Sequence, residues 1–174
     1  MTRKRRRHKP SGEAAEISLQ YAAPRTGLPA RCSIERWIRA ALDRDARITL
    51  RITGAREARL LNRSYRARDY ATNVLSFGYA RDARALEGDI VLCAPVVARE
   101  ARALGKPLRA HYAHLVVHGV LHLAGLDHED AAAAERMQAR ETAILAQLGY
   151  ADPYARPAPP QQPRRIKIKN ERPA

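Results

Sequence analysis

Cysteine is scarce: the 174 residues hold two, Cys32 and Cys93. So few thiols, so far apart, exclude a disulfide scaffold, and no disulfide is expected. A basic N-terminus is present, but no apolar segment follows it as in a secretory signal, so a cytoplasmic protein with reduced thiols is expected. No stretch approaches the ~18–20 consecutive apolar residues of a membrane span, which argues against membrane insertion. Aromatic residues are 5% of the chain, with one Trp and one Phe, too few for an extensive base-stacking groove. Acidic residues are also short: 18 Asp and Glu face 32 Lys and Arg, a formal net charge of +14.

That excess sits mostly at the ends. Arg3, Lys4, Arg5, Arg6, Arg7 and Lys9 supply +6; residues 155–174 supply a further +5, which leaves +3 for the body. Residues 1–14 lack apolar periodicity and read as a basic disordered arm. Residues 155–174 hold Pro157, Pro159, Pro160 and Pro163 and read as a Pro-rich basic disordered tail. Basic arms suit phosphate backbones, whose counterions they release, though they also serve as solvated tails. A single domain over 15–154 remains, large enough for a core of its own.

Within that domain, histidine is concentrated. His118-Gly119-Val120-Leu121-His122-Leu123-Ala124-Gly125-Leu126-Asp127-His128 places three imidazoles at i, i+4 and i+10 inside an apolar run. Residues four apart share one helix face. A glycine three residues later can end the helix in the left-handed conformation and return His128 towards the pair. His111 and His114 lie on the same stripe, but His114 and His122 are separated by about 12 Å along a helix axis. Zinc–nitrogen bonds of about 2.0–2.1 Å cannot span that, so the set is His118, His122 and His128. Three protein ligands with an open position for water describe a hydrolytic zinc site. Asp127 is either a further ligand or an acceptor for a ligand N–H. The spacing also matches the long zinc-peptidase pattern, except that Gly119 stands where the peptidase glutamate would be. Glycine accepts no proton, so the bond cleaved is expected to be other than a peptide.

The same segment resembles the signature of the YbeY family of single-strand-specific endoribonucleases. Leu61-Asn62-Arg63-Ser64-Tyr65-Arg66, Thr72-Asn73-Val74-Leu75-Ser76-Phe77, Gly88-Asp89-Ile90 and Gly105-Lys106-Pro107 agree with it in the same order. The resemblance covers roughly residues 15 to 154. It departs at Gly78, where proline is expected in many relatives, and in a connection from Tyr79 to Leu86 that is shorter than in some. It implies a zinc endoribonuclease of 16S rRNA 3′-end maturation and ribosome quality control. One zinc ion would be bound by His118, His122 and His128, with no small-molecule cofactor. Partners would be single-stranded rRNA and the small ribosomal subunit or its assembly factors. It also implies a functional role for Arg66, which the sequence alone does not separate from Arg63 and Arg68. Arg66 and Asp127 are thus the expected catalytic residues. The rival reading is a zinc-stabilised RNA-binding assembly factor with little catalysis.

Periodicity predicts strands at 16–21, 47–53, 73–77 and 88–93. Helices are predicted after Ser33 as N-cap, over 55–65 with Ala58, Leu61 and Leu60 inward, and from Pro95 to Leu104. Two more are predicted from Leu108 to Ala124 and, capped by Asp130, from Ala131 to Leu148. Residues 79–87 read as a charged connection. The class expected is α+β: one four-stranded mixed sheet, about five helices around it, and the histidine helix central.

Overall fold

The apolar runs that alternate with period two pair into one sheet, and those with helical spacing cover it. The computed structural model describes residues 14–80, 85–126 and 130–155. Asp127, His128, nearly all of the basic arm and nearly all of the Pro-rich tail lie outside the described residues. The elements are β1 (Ala15–Tyr21), α1 (Arg31–Ala41), β2 (Asp45–Thr53), α2 (Ala55–Arg66), β3 (Val74–Ala80), β4 (Ala85–Cys93), α3 (Ala94–Ala103), α4 (Leu108–Leu123) and α5 (Ala131–Gln147). The sheet order is β1-β2-β4-β3. β1 and β4 flank β2 in parallel, and β3 runs antiparallel to β4. This is the expected α+β class with a mixed sheet.

β4 is central, as its apolar sequence past Asp89 predicts: Ile90, Val91, Leu92 and Cys93 are all buried. The main core joins that sheet to α1, α4 and α5 through Trp37, Ile38, Leu50, Ile52, Val116, Val120, Met137 and Leu145. α4 lies in the middle of the helical layer, touching α1, α3, α5, β3 and β4. It approaches the sheet closely because two glycines allow it. A Cβ on Gly88 would sit 2.4 Å from the Phe77 carbonyl oxygen and 2.7 Å from Leu123 Cδ2. A Cβ on Gly119 would sit 3.0 Å from Ile90 Cγ2 and 3.3 Å from Ser76 Oγ.

Three local expectations are corrected. α1 begins at Arg31 with Ala30 as N-cap and no side-chain cap. Ser33 is buried inside it, its Oγ accepting from Arg109 Nη2 at 3.0 Å, so a tertiary partner replaces the capping role. On α2, Leu60 is 48% exposed, and the inward face is Ala58 and Asn62. Within the expected connection, the described residues Tyr79, Ala80 and Ala85 to Glu87 are strand, because β3 continues to Ala80 and β4 starts at Ala85, with a bulge between Gly78 and Ala80. Main-chain ladder bonds pair those strand ends whatever the charge of the side chains. At α5 the expected cap is present: Asp130 Oδ1 accepts from Ala133 N at 2.6 Å.

Candidate metal centre and its arginine wall

α4 is apolar on nearly every side, and His111, Tyr112, Ala113, Leu115, Val116, Val117, Gly119, Val120 and Leu121 are buried. His114, His118 and His122 are only partly covered, a stripe at four-residue spacing. Among the described residues, the closest imidazole pair is His118 and His122, with ring centroids 4.5 Å apart at 76°. The His114 ring lies 6.2 Å from that of His118. Gly125 ends the helix with φ +91°, and Leu126 N donates to Leu121 O at 3.1 Å. This is the glycine turn the sequence predicts before Asp127 and His128. His111 is used elsewhere: its Nε2 lies 3.0 Å from Glu100 Oε2, joining α4 to α3.

His118 and His122 open into a cleft of about 380 Å³ whose other lining includes Asn62, Arg66, Arg68, Tyr70, Thr72 and Ser76. Arg66 closes α2, and its Nη2 donates to the Ser76 carbonyl at 3.5 Å. Of the three arginines the sequence leaves undistinguished, Arg66 and Arg68 line this cleft, while Arg63 lines a separate groove with Arg59 and Asp69. No carboxylate lines the cleft among the described residues. Its walls therefore suit an anion.

Behind the stripe lies a charge that the sequence reading passed over. Glu141, on α5, is fully buried. Its Oε1 is 2.7 Å from His118 Nδ1, its Oε2 is 2.9 Å from His114 Nε2, and the Tyr154 hydroxyl donates to Oε2. Burial alone would raise its pKa. The hydrogen bonds from His114, His118 and Tyr154 outweigh that and hold it well below the carboxylate range, at about 2. As a carboxylate it can only accept, so His118 Nδ1 carries a proton and the lone pair of a neutral ring is on Nε2. A signal existed in the sequence: Glu141 interrupts the inward stripe of Met137, Ile144 and Leu145.

His114, His118 and Glu141 also form a group whose donor atoms lie within 4.8 Å of one another and could hold a metal ion. Two donors bound at about 2.0–2.1 Å in a tetrahedral site lie roughly 3.3 Å apart. The observed 2.7 and 2.9 Å contacts are shorter and have hydrogen-bond lengths. Gly119 faces Ile90 and Ser76 so closely that a Cβ would lie 3.0–3.3 Å from them, and any side chain there, a glutamate above all, would need those neighbours to give way.

A small α+β fold that sets paired imidazoles and two arginines in one cleft is suited to metal-assisted chemistry on an anionic substrate. The chain belongs to the Endoribonuclease YbeY family, whose model matches residues 30–149. It is 57% identical over 139 residues to an Endoribonuclease YbeY of Thiobacillus denitrificans, covering 79% of this chain and 95% of the relative. It is 60% identical over 146 residues to that of Verminephrobacter eiseniae, covering 80% and 94%. A solved solution structure from Thermotoga maritima is 22% identical, with a TM-score of 0.48, and covers 80% of this chain and 99% of that one.

Proposed function

We infer that the protein is a zinc-dependent endoribonuclease that cuts single-stranded ribosomal RNA in the cytoplasm, in 16S 3′-end maturation and ribosome quality control. It would act with the small ribosomal subunit or its assembly factors. Family membership supports the reaction class. The observation that carries the site is the His118–His122 pair, rings 4.5 Å apart, in the same cleft as Arg66. His118 and His122 are the proposed ligands, with His128 as the third and Asp127 beside it. The donor set fits: three imidazoles are a known zinc set with an open position, and the contact of Nδ1 with Glu141 puts the lone pair of a neutral His118 ring on Nε2. Among the described residues, no helix is long and apolar enough to cross a membrane.

A bound zinc ion would supply a Lewis acid and a water acidified towards a pKa of about 7. The chain's own residues do the rest. Arg66 holds the scissile phosphate, because a planar guanidinium matches two phosphoryl oxygens and stabilises charge that grows in the transition state. Glu141 keeps His118 in one tautomer and one orientation and raises its basicity. Asp127, next to His128 in the sequence, would do the same for a ligand imidazole.

The test is cleavage of a labelled single-stranded rRNA fragment by matched preparations of native protein and His118→Ala, with metal content measured on both. The expected result is about one zinc per native chain, as a single catalytic site requires, with cutting confined to the native protein. Native protein that holds zinc but cuts no more than the variant would overturn the reading in favour of a metal-stabilised RNA-binding assembly factor.

A further inference from the structure

The loop from Ala67 to Asn73 joins α2 to β3 and carries Arg68, Tyr70 and Thr72 along the cleft. An aromatic ring in a loop loses free energy by staying in water, yet Tyr70 is 52% exposed. Its main chain is tied down from below. Asn62, 2% exposed, donates side-chain Nδ2 to the Tyr70 carbonyl at 2.8 Å, and its main-chain carbonyl accepts from Arg68 N at 3.3 Å. Asp69, between them, takes two bonds from Arg59 at 2.8 and 2.7 Å. A polar side chain at the core face of α2 thus fixes a loop that leaves its ring uncovered. The Tyr70 hydroxyl accepts from Arg68 Nη1 at 3.3 Å, so a guanidinium lies at the edge of the ring. Pockets of about 300–1,000 Å³ accept small ligands, and this cleft, about 380 Å³, is in that range. A cationic wall with a flat aromatic face selects a ligand that is both anionic and planar.

We propose that Tyr70 and Arg68 form a nucleotide subsite of the cleft, in which Tyr70 stacks on an unpaired base and Arg68 holds the adjoining phosphate. The proposal rests on the reading of the cleft as an RNA-cleavage site. It gives single-strand preference a physical origin: in a duplex both faces of each base are already stacked, so none is offered to Tyr70. Sparse aromatic content does not oppose it, because one fixed ring is enough for one base.

The experiment measures binding of a short, unstructured fluorescent RNA and of a duplex of equal length at several salt concentrations. Every variant is made in the His118→Ala background so that the probe survives, and cleavage is followed in parallel with His118 intact. Tyr70→Ala is expected to weaken single-strand binding roughly 5- to 150-fold and to leave duplex binding unchanged. Tyr70→Phe should retain native affinity, and Tyr70→Leu, which keeps bulk without a π-face, should behave as Tyr70→Ala. Arg68→Ala should lower the salt slope by about one. Unchanged single-strand binding in both Tyr70→Ala and Tyr70→Leu, or an equal loss for the duplex, overturns the subsite. If cleavage by the native protein still depends on His118, the endoribonuclease reading survives that result. A native protein that neither binds nor cuts RNA refutes both.

Discussion

Replacing Glu141 by glutamine is expected to weaken zinc binding about 10- to 100-fold without abolishing it, the usual cost of losing an outer partner of a ligand histidine. By affinity arithmetic this is about 1.4–2.7 kcal/mol. The magnitude follows from what glutamine keeps. It is nearly isosteric and retains one carbonyl oxygen for His118 Nδ1, which Glu141 meets at 2.7 Å. Its amide nitrogen then faces His114 Nε2 and the Tyr154 hydroxyl, where Oε2 now stands. The orientation of His118 survives; the negative charge behind it does not. The companion variants separate two arrangements. If Glu141 positions a ligand, His118→Ala and His122→Ala both lose the ion and His114→Ala keeps it. If His114, His118 and Glu141 are themselves the ligands, His114→Ala loses the ion and His122→Ala keeps it. Competition with a chromophoric zinc chelator reads the affinities, and thermal melts in excess chelator report whether each metal-free variant still folds. Native affinity in His122→Ala together with loss in His114→Ala would refute the reasoning.

Arg66→Ala should lower kcat about 10²- to 10³-fold, the scale for removing one transition-state donor. Its melting temperature should be unchanged, since the side chain is exposed and makes one 3.5 Å contact; unaltered single-turnover rates would count against its role. Gly119→Ala should cost about 1–3 kcal/mol in urea unfolding, the scale of core overpacking, because its Cβ would meet Ile90 and Ser76 at 3.0 to 3.3 Å. Asn62→Ala should cost about 1–3 kcal/mol through the unsatisfied Tyr70 carbonyl and should raise amide exchange in residues 67–73, measured by hydrogen–deuterium exchange. Chelation should abolish RNA cleavage, and added zinc should restore it; activity that persists in metal-free protein would exclude metal assistance.

What was legible in the sequence is what repeats at short range. Arg47 to Thr53 alternates with period two and is strand throughout. The Leu108–Leu123 helix, its glycine stop and the Asp130 cap follow from local chemistry and stand within a residue of expectation. The fourth strand reads as central because a strand paired on both edges and covered on its faces is apolar past Asp89. The misreadings share one cause, which is that a distant partner decides them. Ser33 reads as a cap because Arg109, 76 residues away, is invisible locally. Leu60 reads as core because hydrophobicity alone ranks it so, and Asn62 is passed over, whereas the α2 face is set by what lies across from it. Tyr79 to Ala80 and Ala85 to Glu87 read as part of a charged connection because they flank charged residues, and only pairing with neighbouring strands makes them strand.

The site itself divides the same way. The His118–His122 pair is a local pattern and could be found by counting. Arg66 could not, because its membership depends on α2 and α4 meeting the same stretch of β3, where Arg66 reaches the Ser76 carbonyl and Gly119 packs on the Ser76 side chain. Glu141 is more telling. A carboxylate at 0% exposure costs several kcal/mol of desolvation, and an apolar residue of similar size would pack there without that penalty. Among the described residues its hydrogen-bond partners are His114, His118 and Tyr154, two of them imidazoles on one helix face. Fold stability alone gives no reason for a charge at that point. Orientation of the imidazoles does, so the charge in the apolar stripe of α5 and the histidines in the apolar stripe of α4 belong to one device.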